Sequence, residues 1–84
     1  MVDFFESYKF LRITLEDGSV FEFSLDREVG KFYSKAFIGI PTQKRWSELY
    51  PNLVEKRDEV LKAVNDFKIK KSGWFYKYII VEYD

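Results

Sequence analysis

Basic and aromatic side chains interleave at three places in this 84-residue chain. They are Lys9-Phe10-Leu11-Arg12, Lys31-Phe32-Tyr33-Ser34-Lys35, and Lys70-Lys71 ahead of Trp74-Phe75-Tyr76-Lys77-Tyr78. Those residue types suit a single nucleic-acid strand. Rings offer faces on which bases stack, worth about 1–3 kcal/mol per base, and cations hold the phosphates. In an extended strand Phe10, Arg12 and Thr14 share one face, and Trp74, Tyr76 and Tyr78 share one face of the tail. The candidate ligand residues are Lys9, Phe10, Arg12, Lys31, Tyr33, Lys35 and Lys44. The plainer reading is that Phe10 and Tyr33 pair across strands. For the tail, Ile79-Ile80-Val81 reads as buried strand, so its rings extend a sheet rather than bind a ligand.

Other chemistries find little support. The chain has no Cys and no His. That excludes disulfide staples, Cys or His zinc sites, a His general base and a His-activated nucleophile. Glu55, Asp58 and Glu59 form the densest carboxylate group, but on a helix they read as a solvated face. Ser34-Lys35 and Lys71-Ser72 are sequence neighbours that strand alternation separates. No phosphate loop is present. The expectation is a non-enzymatic protein with no metal and no cofactor.

Charge is balanced overall, with 14 basic and 14 acidic residues, but uneven along the chain. Residues 1–28 sum to −4, residues 29–45 to +4, residues 46–67 to −2 and residues 68–84 to +2. This is not a bulk DNA coater, although a local basic stripe is compatible with it. The 17 rings, nine Phe, six Tyr and two Trp, exceed what a small core hides easily. They imply either self-association or an aromatic face for a ligand. Abundant charge with little Asn or Gln fits a thermophile source. No secretory signal and no membrane-length apolar run is visible, so the expected setting is intracellular, cytoplasmic or nucleoid-associated.

The elements that must position these residues follow from periodicity. Met1 to Ser7 reads as a loose lead-in. Tyr8 to Leu15 alternates as a half-buried strand, Asp17-Gly18 signals a hairpin, and Val20 to Leu25 alternates again. Phe32 to Ile40 reads as a strand ended by Gly39 and Pro41, with a short helix over 27–37 as the rival. One long helix follows, capped by Thr42 or Ser47, with Pro51 in its first turn or at a kink. Its apolar stripe is Leu49, Leu53, Val54, Val60, Leu61, Val64 and Phe67. Lys71-Ser72-Gly73 is a turn, Trp74 to Tyr83 a strand, and Phe67 to Lys70 its hairpin partner.

The helix entry carries a resemblance. Gly39-Ile40-Pro41 runs into Trp46-Ser47-Glu48-Leu49, then Leu53, then Asp58-Glu59-Val60. With Lys9-Phe10-Leu11-Arg12-Ile13 as the opening strand, residues 8–66 resemble the transcriptional coactivator family known as positive cofactor four. The resemblance implies a homodimer whose curved antiparallel sheet binds single-stranded DNA through basic and aromatic strand residues. It matches Lys9 to a basic position and Phe10 to an aromatic one. Lys35 falls near the family's basic run, and Phe32 and Tyr33 near its aromatics. This chain departs from the pattern at Ala36-Phe37-Ile38, in its shorter link from Ile40 to Trp46, in the tail 67–84 and at Glu22.

Together these readings predict one domain, residues 1–84, of α+β class. It would be a curved antiparallel sheet (β-β-β) followed by one long amphipathic helix and a C-terminal strand or hairpin. The expected partner is single-stranded DNA or RNA, on a dimer with Trp46, Leu49, Leu53, Val60 and Val64 at its interface or core. The alternative is a small protein-interaction module or inhibitor that docks through exposed rings.

Overall fold

The computed structural model describes residues 1–84. Its first hairpin forms where Asp17-Gly18 turns the chain. Gly18 takes φ +91°, and Leu15 bonds Ser19 and Gly18 across the turn at 2.8 and 3.0 Å. A positive φ of this kind favours glycine because no Cβ obstructs it. The turn joins β2 (Phe10–Thr14) to β3 (Val20–Val29), and β4 (Ser34–Pro41) returns antiparallel along β3. A short strand β1 (Asp3–Glu6) pairs antiparallel with the outer side of β2. Helices α1 (Gln43–Leu49) and α2 (Lys56–Lys71) follow, and β5 (Tyr76–Tyr83) then lies parallel to β4. The five strands make one mixed sheet in the order β1-β2-β3-β4-β5.

Strand alternation divides this sheet into two unlike faces. Leu11, Ile13, Phe21, Phe23, Leu25, Ala36, Ile38, Ile40 and Tyr78 point to the helices and are buried. Val60, Val64 and Phe67 of α2 meet them, as does Trp46 of α1. The ring of Trp46 packs between Phe21, Phe23 and Tyr50, and its Nε1 donates to the Leu53 carbonyl at 2.9 Å. That bond satisfies the indole within an otherwise apolar core. The opposite face has no helix over it.

The expected β-β-β sheet with one long helix is therefore corrected in three respects. First, the helix is two helices. Residue 50 precedes Pro51, and proline's ring disfavours helical geometry in the residue before it. Tyr50 accordingly sits at φ −130°, ψ 69°, and α1 ends at Leu49. Thr42 caps α1 by accepting from the Arg45 N–H at 3.3 Å, whereas Ser47 donates back to the Lys44 carbonyl. Second, the sheet is mixed. Phe67 to Lys70 belongs to α2, not to a hairpin, and β5 pairs with β4. Third, the lead-in contains β1, and β3 runs on to Val29 where a helix over 27–37 was the rival reading. Neither helix is long and apolar enough to cross a membrane.

The core half of the predicted interface set stays within one chain. Trp46, Val60 and Val64 are fully buried, Leu53 packs at the core's margin, and Leu49 is exposed. The stripe of α2 is thus used up against its own sheet. Arg57 is buried with it, donating to the Pro41 carbonyl at 3.0 Å and to Glu82 at 2.6 Å. Lys56 reaches Asp17 at 2.6 Å, fixing the start of α2 to the first hairpin. The Lys56 ammonium and the Ser19 N–H hold the Asp17 carboxyl well below the usual carboxylate range.

At the other end of the covered face, a polar cluster ties β1 to β5. Arg27 donates to Glu6 at 2.8 Å, to the carbonyls of Tyr8 and Ser7, and to the Tyr76 hydroxyl. The Tyr78 hydroxyl donates to the same Glu6 carboxylate at 2.7 Å. Burial pushes the Tyr78 phenol up, and its bond to Glu6 adds to this, giving a pKa of about 12. Burial works to raise Glu6 as well, but the Arg27 and Tyr78 bonds outweigh it and hold that carboxyl below its ordinary value.

Tyr78→Phe leaves the Glu6 carboxylate without its phenol and is expected to cost about 1.5–3 kcal/mol in a urea melt at neutral pH. The raised phenol also gives alkaline linkage. Its contribution is complete below the ordinary tyrosine value of 10.0 and is lost as pH rises towards about 12. Stability of the native chain should therefore fall more steeply over that window than stability of Tyr78→Phe. Parallel profiles would show that the phenol is not held by Glu6.

Candidate nucleic-acid interface

Two turns meet at one end of the sheet because β4 and β5 are parallel and start side by side. Ser34 pairs with Tyr76, and the Ser34 N–H donates to the Phe75 carbonyl at 2.9 Å. The first turn, Gly30 to Tyr33, closes the β3–β4 hairpin through a Gly30 N–H to Tyr33 carbonyl bond of 2.9 Å. A Cβ on Gly30 would stand 2.4 Å from that carbonyl oxygen, so glycine is required by close approach. The second turn, Ser72 to Phe75, closes when the Gly73 N–H bonds the Tyr76 carbonyl at 2.7 Å.

These turns gather exposed rings. Trp74 is 93% exposed, Phe32 77%, Phe75 74% and Tyr33 48%. Such exposure in adjacent large rings is unusual for a surface and makes this end a candidate interaction surface. Cations stand among them. Lys35 Nζ lies 5.4 Å from the Tyr33 ring centre, and Lys31 Nζ lies 5.7 Å from that of Phe32. Tyr33, Lys35, Trp74, Lys77 and Ile79 line an open trough of about 520 Å³ on the uncovered face. The last turn of α2 also carries Lys68, Lys70 and Lys71, but Lys70 and Lys71 line a separate groove beside Val2, Phe4 and Glu6.

The charges here are free. Every arginine holds a carboxylate: Arg12 with Glu22, Arg27 with Glu6, Arg45 with Glu48 and Arg57 with Glu82. Lys56 holds Asp17 and Glu59. Lys31, Lys35 and Lys77 form no ion pair, although Glu28 is the cross-strand neighbour of Lys35. An unpaired surface ammonium loses no partner on meeting a phosphate, so its counterion release is available for binding.

The seven residues read from the sequence fall into three groups. Lys31, Tyr33 and Lys35 belong to the site just described. Lys9, Phe10 and Arg12 lie on the far side of β3, where Phe10 and Arg12 share the uncovered face with Phe5. From the register, Phe10 is roughly 13 Å along and 10 Å across the sheet from Lys35. Arg12 lies between the rings of Phe5 and Phe10, 5.4 Å from each centre, while donating to Glu22 at 2.8 Å. Between the two groups runs β3, whose outward side chains include Glu22, Asp26 and Glu28. Lys44 sits on α1 beside Arg45, Glu48 and Asp84, at the opposite end of β4.

The list of seven residues omitted Trp74, Phe75 and Lys77. Their interleaving was visible in the sequence. What was not visible was that β5 joins β4 in parallel, which carries the tail's first residues to the Gly30 turn.

Gly30→Ala forces the Tyr33 carbonyl to move and is expected to destabilise the fold by about 1–3 kcal/mol, as other overpacked sites do. Chemical denaturation checks this directly. A change within about 0.5 kcal/mol would mean that the turn is loose and does not hold Lys31 and Tyr33 in place. No family model, no curated protein and no solved structure matches this chain.

Proposed function

We propose that the chain binds single-stranded nucleic acid at the end of the sheet where β4 and β5 begin. Bases stack on Trp74 and Tyr33, while Lys31, Lys35 and Lys77 hold the phosphates. The observation that carries this reading is the coincidence of exposed rings with Lys31, Lys35 and Lys77, none of which holds a carboxylate. Rings without free cations would favour a protein partner, and free cations without rings would favour any polyanion. The strand would follow β4 and β5 rather than cross the sheet, since Glu22, Asp26 and Glu28 repel phosphate there. The residues that resemble positive cofactor four support the same ligand class, though Lys9, Phe10 and Arg12 lie outside the site proposed.

A protein-interaction module remains the second reading. The same exposed Phe32, Trp74 and Phe75 favour it, because aromatic anchors dominate protein interfaces. Salt dependence separates the two readings.

The test is a titration of labelled single-stranded and duplex oligonucleotides of equal length at low and moderate salt. Single strands are expected to bind more tightly, with log K falling against log salt at a slope of about −2 for three phosphate contacts. Trp74→Ala is expected to weaken binding by about 1–3 kcal/mol without changing the melting temperature, because the ring supports nothing in the fold. Lys35→Ala and Lys77→Ala should each lower the slope by about 0.7. Trp46 is buried, so any strand-induced quenching of tryptophan fluorescence should vanish in Trp74→Ala. Equal binding to duplex and single strand, or an unaltered affinity in Trp74→Ala, would refute the assignment.

A further inference from the structure

The outer edge of β5 is half closed and half open, and the open half is complementary to itself. The N–H of Ser34 bonds the Phe75 carbonyl, and the N–H of Thr42 bonds the Tyr83 carbonyl, each at 2.9 Å. Odd-numbered residues of β5 therefore turn their peptide groups to β4, and Tyr76, Tyr78, Ile80 and Glu82 turn theirs outward. The preceding loop covers the first of these. Gly73 N–H bonds the Tyr76 carbonyl, and Ser72 Oγ accepts from the Tyr78 N–H at 3.1 Å. Nothing covers the peptide groups of Ile80 and Glu82. No proline or bulge blunts this stretch, and the one charge on its covered side, Glu82, is already held by Arg57 at 2.6 Å. The other edge, β1, is only four residues long and ends in acidic residues.

We infer that β5 pairs antiparallel with β5 of a second copy, about a two-fold axis at Val81, to give a continuous ten-stranded sheet. In this register Ile80 and the partner's Glu82 exchange both main-chain bonds, and Glu82 and the partner's Ile80 do the same. The open peptide groups of Ile80 and Glu82 are all satisfied, and the Ser72–Gly73 loop keeps its own bonds to Tyr76 and Tyr78. Registers shifted towards Tyr78 would run the partner strand into that loop. Side chains agree with the choice. Val81 and Tyr83 are 41% and 44% exposed on the uncovered face, where the pairing sets Val81 against the partner's Val81 and Ile79 against the partner's Tyr83. Such aliphatic and aromatic cross-strand pairs stabilise sheets. On the covered face the partner's Asp84 arrives opposite Tyr78, beside the basic last turn of α2. The chain's formal charge is zero, so two copies do not repel each other at long range. A strand-edge contact of this length is at the small end of specific interfaces, so the dimer is reversible. It rests on the open main-chain groups of the edge and not on the rings and lysines of the nucleic-acid reading, the two meeting only at Ile79, which lines the trough.

The experiment uses sedimentation velocity together with cysteine cross-linking. Native protein should pass from monomer to dimer as its concentration rises to about 500 µM. Val81→Lys sets two ammonium groups against each other at the axis and should raise the dissociation constant at least about tenfold. Its far-UV spectrum and melt should stay native, since Val81 is exposed and faces Gly39 across β4. The chain has no cysteine of its own, so Val81→Cys can cross-link only between copies. Paired residues that do not share hydrogen bonds lie about 4.5 Å apart at Cα, within disulfide reach. Val81→Cys should oxidise to a covalent dimer, and Ile79→Cys should not. A monomer at every concentration, a dimer indifferent to Val81→Lys, or Ile79→Cys linking as readily as Val81→Cys would each overturn the inference.

Discussion

A parallel strand pair cannot be closed by a tight turn, and that constraint organises this molecule. Antiparallel neighbours need only a few linking residues, whereas β5 reaches β4 only after the chain has crossed one face of the sheet. The crossing is made by α1 and α2, so the face they cross is buried and the other is left open. The same constraint sends the chain back to the end of β4 where that strand began. The Gly30 turn and the Ser72–Phe75 turn become neighbours for this reason, joined by the Ser34 to Phe75 bond. Neither turn would make a site alone. One contributes Tyr33 with Lys31 and Lys35, and the other Trp74 with Lys77 behind it.

The distribution of arginine and lysine follows from how each residue bears desolvation. Arginine's planar fork holds several acceptors at once and tolerates burial, so it suits internal ties. Arg57 joins α2 to the ends of β4 and β5, and Arg27 joins β1, β3 and β5 through Glu6 and the two tyrosines. Lysine's compact ammonium keeps to water on a flexible stem. Ten lysines among the 14 basic residues leave a surplus once the carboxylates near arginine are taken. Six of the nine lysines outside ion pairs stand at or beside the two turns and in the last turn of α2, where they also complement the helix dipole, while Lys9, Lys44 and Lys62 lie elsewhere. A formally neutral chain thereby acquires a locally cationic end.

Local signals in the sequence described the first half of the chain better than the second. The Asp17-Gly18 turn and the alternation on either side of it are properties of neighbouring residues, and the structure contains that hairpin as β2 and β3. Thr42 as a helix cap is equally local. The single long helix failed because the apolar spacing from Leu49 to Phe67 continues across Pro51 while the backbone does not. Periodicity records which side chains face the core, and the break between Tyr50 and Lys56 packs Leu53 against the core's margin without helical geometry. β1 was missed because its outward Phe5 and half-buried Phe4 give too short a pattern to distinguish from a loose end. The site was half legible for a related reason. Residue types at each turn were visible, but their meeting depends on a pairing between residues 34 and 76 that no local pattern encodes.

The uncovered face also explains why only part of the aromatic surplus becomes a site. Phe5 and Phe10 enclose the Arg12 guanidinium, and Glu22 neutralises it from the neighbouring strand. The cation beside those rings is already paired, so unlike Tyr33 with Lys35 they stand beside no free charge that could meet a phosphate. Trp74 has Lys77 nearby but no ring or carboxylate that claims it, and nothing in the core depends on it. The acidic residues of β3 separate the two regions, and under the proposed reading they would turn an anionic chain away from β2 and along β4 and β5. The proposed binding and the proposed edge pairing would then draw on different parts of β5, the first its beginning and the second its end. One strand of eight residues leaves room for both proposals because the Ser72–Gly73 loop closes its edge along one part and leaves it open along the other.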